Sequence, residues 1–344
     1  MHWLVFGDDW GRHPSTTQHL IRNLPVEDQV TWVDSNGMRA PRISIGDLAR
    51  VRSRFRSPEA TGLHAHLRPR VLPWHTSTLA RALNRWRLRG LPDADVTLIT
   101  NPVASLYLRN VKLLVYLRLD DWPNFRGVDP AFIAAAEPSL LREADLVVAP
   151  NARLLEGVTA PTLLLPQGVD LEHFAQVPLD PPQSKVVGFW GGLSAWLDQE
   201  LIVQMARAHP DWTFELIGRR EVELRLDAPN IHVRGPVPYA DLPAVTAHWR
   251  GAWLPYVVGD ATRGMSPLKL REYLAAGFPT ASTALPEARA LPVTLIDAAG
   301  RWLGALEQDT RSERAARRES VAGDTWTSRA TTLRQTIQRK ARRC

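Results

Sequence analysis

The chain has 344 residues, 44% apolar and 23% charged, which excludes a disordered or fibrous protein and leaves enough chain for two cores at roughly 150 residues per domain. Its one cysteine, Cys344, excludes a disulfide framework and a cysteine metal site, and fits a reducing cytosol. No uncharged apolar run approaches the roughly 18 residues of a membrane span, while a net charge of +6 points to an acidic partner such as anionic lipid, nucleic acid or a phosphorylated substrate.

Residues 3–6 read as a first strand, without the charged and apolar regions of a signal peptide. In the loop that follows, Gly11 and Arg12 are candidate acceptor-side contacts, although an ordinary strand-to-helix loop fits equally well. A second strand is predicted at 30–33. Between Arg50 and Arg89 ten arginines are opposed only by Glu59 and interleaved with Phe55, Trp74, Leu79, Leu83 and Trp86. That pattern fits a face for an anionic membrane, a nucleic-acid patch or a solvated arginine-rich helix. Asp93-Ala94-Asp95 has the spacing of a metal-holding acidic pair, but it precedes the strand predicted at 96–99 and so reads as a turn. No histidine or carboxylate cluster has metal-ligand spacing, and no metal or cofactor is expected.

Further apolar strands follow at 113–116 and 146–149. After a proline-containing stretch at 161–182 the pattern restarts at 185–189, 213–217, 231–233, 252–255 and 280–282. Continuous apolar strands alternating with helices predict parallel sheets covered on both faces, hence an α/β chain of two Rossmann-like, doubly wound domains. The last segment, 325–343, is basic and reads as a helix with Leu333 and Ile337 four apart.

The chemistry concentrates in the stretch 264–279. Pro267 suits the first turn of a helix, and Gly277 with Pro279 suits its end. A helix start at the mouth of a parallel sheet presents free N–H groups and a positive dipole end, which together suit a diphosphate. Lys269 and Glu272, three apart, share a face of that helix, so an ammonium and a carboxylate can meet one ligand.

This stretch resembles the donor-binding segment of GT-B glycosyltransferases, with Glu272 at the family's ribose-binding glutamate. The likeness runs in order through Arg142 to Pro150 and Leu165 to Phe174, which look like the last strand of the acceptor domain and the interdomain linker, and then through Gly188-Phe189-Trp190-Gly191-Gly192, Leu216-Ile217-Gly218-Arg219 and Gly235-Pro236-Val237-Pro238-Tyr239. It is nearest to the teichuronic-acid-type and polysaccharide glucuronosyltransferase-like branch, where a lysine serves the diphosphate. Gly264 stands where retaining families often carry a second glutamate, and Ser194-Ala195-Trp196 where they carry an arginine and a lysine.

The resemblance implies an acceptor-binding domain at 1–165, a linker at 166–182, a donor-binding domain at 183–320 and a terminal basic helix at 321–344 that packs back on the first domain. It implies a donor site of Gly192, Arg219, Pro238, Tyr239, Arg263, Ser266, Leu268, Lys269 and Glu272. Arg118-Leu119-Asp120-Asp121-Trp122 follows a predicted strand, where α/β folds place ligands, and an inverting transfer needs a carboxylate base there. Asp121 is the first choice and Asp120 the second, while a helix cap or an ion pair with Arg118 or Arg126 is the competing account.

The implied activity is transfer of a sugar from a nucleoside diphosphate sugar to a glycan or lipid-linked polysaccharide precursor at the inner face of the cytoplasmic membrane. An epimerase of the same fold and a non-catalytic nucleotide-sugar-binding subunit are the alternatives. A nucleic-acid partner has no recognised motif behind it.

Overall fold

A computed structural model describes all residues except 12–14, 35–37, 39–62, 68–71, 73, 109, 125–127, 298 and 343–344. The chain forms two compact units, one of Met1–Pro166 with Arg329–Cys344 and one of Gln167–Ser328.

The first unit contains β1 (His2–Gly7), α1 (Thr16–Arg22), β2 (Gln29–Asp34), β3 (Ala65–Leu67), α2 (Thr78–Arg87), β4 (Val96–Ile99), β5 (Leu114–Leu117), α3 (Pro130–Glu143), β6 (Leu146–Ala149) and β7 (Thr162–Leu164). Its seven strands are parallel, in the order β3-β2-β1-β4-β5-β6-β7. Every residue of β4 and β6 is buried, as expected for strands covered on both faces. Helix starts are set by short polar side chains that accept from backbone N–H groups: Ser15 for α1, Ser77 for α2 and Asp129 for α3.

The second unit contains α4 (Leu171–Phe174), β8 (Val186–Trp190), α5 (Gln199–Ala208), β9 (Thr213–Ile217), β10 (Ile231–Arg234), α6 (Leu242–Thr246), β11 (Gly251–Leu254), α7 (Asp260–Arg263), α8 (Leu268–Ala275), β12 (Thr280–Ser282), β13 (Thr294–Leu295), α9 (Arg301–Glu307) and α10 (Arg311–Ser320). Its six parallel strands run β10-β9-β8-β11-β12-β13. The expected pair of doubly wound sheets is therefore present. In each sheet the strand order reverses beside the first strand, between β1 and β4 and between β8 and β11. The crevice outside the carboxyl ends of those strands is where such folds bind ligands.

Three strands were not legible in the pattern. β3, β7 and β13 are two or three residues long, lie at sheet edges and contain no fully buried residue, so they lack the apolar run that marks the others. β7 lies inside the stretch read as a break and makes the last strand of the first sheet, a place the resemblance had given to 146–149. Most of the stretch read as a linker lies in the second unit, where Val169, Phe174 and Val177 are buried with Trp190 and Trp249.

The chain re-enters the first unit through α11 (Trp326–Ala341), whose Arg334 bonds Asp28 at 2.7 and 3.0 Å. Asp28 also accepts from the Trp3 indole and the Met1 amine. Burial alone would raise the Asp28 pKa, but these donors outweigh it and hold the carboxyl below its ordinary value. No helix among the described residues is long and apolar enough to cross a membrane.

Candidate functional site

In the second unit the chain leaves β8 through Gly191-Gly192, and at Gly191 a side chain cannot be accommodated. A β-carbon on Gly191, whose φ is +136°, would lie 2.1 Å from Cε of Lys269. One on Gly218, at the end of β9, would lie 1.7 Å from the Gly191 carbonyl oxygen. The loop is pinned by backbone bonds from Gly191 to Ile217 and from Leu193 to Arg219. Lys269 thus lies along bare backbone at the carboxyl end of the central strand.

Lys269 and Glu272 come from the first turns of α8. Pro267 is the residue that caps this helix, one place before the helical turn in which the sequence had put it, and Gly277 closes the far end at φ +84°. Ser266, just before the cap, is buried, and its hydroxyl oxygen has no hydrogen-bond partner among the described residues. The Lys269 ammonium lies 5.7 Å from the Phe189 ring and 5.8 Å from the Tyr256 ring. Burial alone would lower its pKa, but Tyr256, Glu272 and Glu221 outweigh that and hold the amine charged. Burial raises the pKa of Glu272, and Asp170 adds to the rise; the Trp190 indole N–H, which donates to Oε2 at 2.9 Å, and Lys269 oppose it.

Tyr239 stacks on His173 with ring centroids 4.5 Å apart, and the His173 ring bonds the Tyr239 carbonyl at 3.0 Å. Burial, with the Glu272 and Asp170 carboxylates, raises the Tyr239 phenol well above its ordinary pKa. Pro238 begins the short turn that carries this ring. The structure therefore brings Lys269, Glu272 and Tyr239 together, with Gly192 beside Glu221, Ser266 just ahead of the helix and Leu268 in its first turn. Arg219 is exposed, and Arg263 is exposed and paired with Asp260 at 3.1 Å. Sequence reasoning missed Trp190, Tyr256 and Glu221 as neighbours of this cluster. Trp190 was visible within the glycine segment, but nothing in its spacing shows that its indole holds Glu272.

In the first unit Asp120 and Asp121 follow β5, half-buried at the carboxyl edge of the sheet. Asp121 Oδ2 accepts from Asn124 at 2.9 Å, closing the short turn Trp122–Asn124. Burial, with the neighbouring Asp121 charge, pushes the Asp120 pKa up to about 6. Arg118 is committed elsewhere, to Glu137 at 2.9 Å and the Leu154 carbonyl at 2.7 Å, so it is not the partner of either aspartate. Gly11 has φ +76° and donates to Gln18, while Arg12 and Arg126 lie outside the described residues. At the same edge His66 meets Asp34 at 2.8 Å, a pairing with no sequence signal because 32 residues separate the two. Asp93 and Asp95 serve as a turn at the other edge, where both bond His2. No group of three metal-ligating side chains occurs among the described residues.

No family model matches the chain. Over 132 residues it is 33% identical to TuaH of Bacillus subtilis, named for a teichuronic acid biosynthesis glycosyltransferase. That match spans 35% of this chain and 33% of TuaH, so the likeness covers about a third of either protein. The structure superposes on Anabaena HepE in complex with UDP-glucose, at a TM-score of 0.67 and 14% identity over 98% of this chain and all of that one. A glycosyltransferase from Rickettsia africae gives 0.69 and 10% identity over 98% of both chains. The chain has the GT-B fold. In GT-B terms the Gly191 and Lys269 cluster belongs to the carboxy-terminal Rossmann-like unit, and the Asp120-Asp121 pair to the amino-terminal one.

Proposed function

We propose that this chain transfers a sugar from a nucleoside diphosphate sugar to a hydroxyl of a glycan or lipid-linked polysaccharide precursor. The observation that carries the reading is the placement of Lys269 and Glu272 on one helix face, with Lys269 against the side-chain-free Gly191. The diphosphate lies on the Lys269 ammonium, the Ser266 hydroxyl and the first N–H groups of α8. Trp190 fixes one oxygen of Glu272, and the other accepts from the ribose hydroxyls. The UDP-glucose complex of HepE supports a nucleoside diphosphate sugar as the donor, and the teichuronic acid in the name of TuaH supports a cell-envelope glycan as the product class.

In the transfer, the acceptor oxygen bonds to the anomeric carbon as the bond to the diphosphate oxygen breaks. The hydroxyl proton passes to the aspartate pair of the first unit. Asp120, whose pKa is raised by burial, is the proposed base, and Asp121 shapes the turn beside it. Attack from the face opposite the leaving group inverts the anomeric configuration.

A screen of nucleoside diphosphates and their sugars, read by thermal shift and donor consumption, tests the reading. One base and its sugars are expected to raise the melting temperature, and an acceptor glycan to consume the donor with inversion. Glu272→Ala should weaken that nucleotide by roughly ten- to a hundredfold, as loss of a hydrogen-bonded charged partner costs about 1.5 to 3 kcal/mol. A folded Glu272→Ala chain with unchanged affinity would sink the assignment.

A further inference from the structure

Helix α2 (Thr78–Arg87) turns its apolar stripe away from the protein. Ala80, Asn84 and the following Leu88 are buried, and Asn84 locks the helix down by exchanging two hydrogen bonds with the backbone of Leu72. Yet Leu79 is 79% exposed, Trp86 61% and the preceding Trp74 56%. At about 100° per residue, Leu79, Ala82, Leu83 and Trp86 fall within one arc of roughly 100° opposite the buried side. Arg85 and Arg89 border that arc on one side and Arg87 on the other. No carboxylate occurs between Trp74 and Pro92.

We propose that this face of α2 seats the protein on an anionic bilayer surface. An exposed apolar stripe one helix wide, flanked by cations on both sides, matches the depth profile of an interface: leucine and tryptophan enter at the acyl boundary while arginines meet the headgroup phosphates. A soluble protein partner would have to bring its own carboxylates to the same borders, whereas an anionic membrane presents phosphates at every point along them. The inference is independent of the reaction proposed above, because vesicle binding is measured without donor or acceptor.

The test is co-sedimentation of the full chain with vesicles of phosphatidylcholine alone or mixed with phosphatidylglycerol. Binding is expected to the mixed vesicles, weakly if at all to neutral ones, and to fall sharply at about 1 M salt, where the Debye length shrinks to about 3 Å. The double variant Leu79→Ser/Trp86→Ser should bind mixed vesicles at least about tenfold more weakly with an unchanged melting temperature, since both side chains are exposed in the fold. Arg87→Glu/Arg89→Glu should lose the preference for the anionic lipid. Equal binding of the wild type to both vesicle types, binding to neither, or undiminished binding of the Leu79/Trp86 variant would overturn the proposal. So would light scattering that shows the wild-type chain self-associating through this face and the double variant monomeric.

Discussion

Asp120 and Asp121 are neighbours of identical chemistry, and their surroundings separate them. Asp121 spends an oxygen on Asn124, whereas Asp120 has its proton affinity raised from 3.8 to about 6 by burial and by the charge of Asp121. Because this pKa is higher in the folded chain than in the unfolded one, the folded chain holds the extra proton between these values, and stability falls as the pH rises from about 4 through 6. Asp120→Asn removes that cost. It should stabilise the chain at pH 8 by up to about 3 kcal/mol, with the difference gone below pH 4, as read from chemical denaturation at each pH. The same variant should lose about a hundred- to ten-thousandfold in transfer rate, and the wild-type rate should fall as the pH drops below 6. A variant with normal turnover would leave Asp120 as a structural acid. The sequence located both aspartates at a strand end but ranked Asp121 first, since adjacency says nothing about which carboxylate is desolvated.

At the scale of the element, the glycine loop after β8 and the start of α8 work as one unit. The sequence showed both pieces, because a Gly-Gly pair after an apolar run and a proline before a helix are local signals. It did not show that Gly191 exists to make room for Lys269, a contact between residues 78 positions apart. Nor could it show Trp190 reaching Glu272. Gly191→Ala has to find space for a methyl group 2.1 Å from Lys269 Cε and to hold φ at +136°. It is expected to cost about 1 to 3 kcal/mol of stability and to weaken nucleotide binding by displacing the ammonium. Gly192→Ala is the informative control, as its β-carbon meets only the Glu221 carboxylate, the far end of a flexible side chain. That variant should keep its nucleotide affinity or gain a little, because the side chain pushed aside carries the same charge as the diphosphate. Isothermal titration of both variants with the nucleotide from the screen checks the pair, and equal losses would show that the loop does not distinguish its two glycines. The short edge strands were hidden for the opposite reason: β3, β7 and β13 are held by backbone pairing to a neighbour, which leaves no side-chain pattern to read.

For the molecule as a whole, each sheet was legible because its inner strands are buried on both faces, while the division of the chain was harder to see. The second unit ends at Ser328, in the first turn of α11, and the same helix continues into the first unit. There Leu333 and Ile337 are fully buried and Arg334 reaches Asp28, whose side chain has no solvent exposure. A chain stopped at Ser328 therefore leaves Asp28 without its guanidinium, and it removes the buried Ala330, Leu333 and Ile337 from the first unit. Losing one partner of a buried pair costs about 3 to 5 kcal/mol, though the Met1 amine and Trp3 still bond Asp28 and soften the loss. The three apolar side chains add several kcal/mol more. All the proposed donor residues, by contrast, lie within Gln167–Ser328. The shortened chain should thus melt at a markedly lower temperature or lose the protease resistance of its first unit, while its nucleotide affinity stays within about threefold of the full chain, a difference under about 1 kcal/mol. Arg334→Ala, which removes the ion pair alone, should show a smaller loss of the same kind. If nucleotide affinity fell with stability in both variants, the donor site would depend on the first unit, and Lys269 and Glu272 would not suffice to hold the nucleotide.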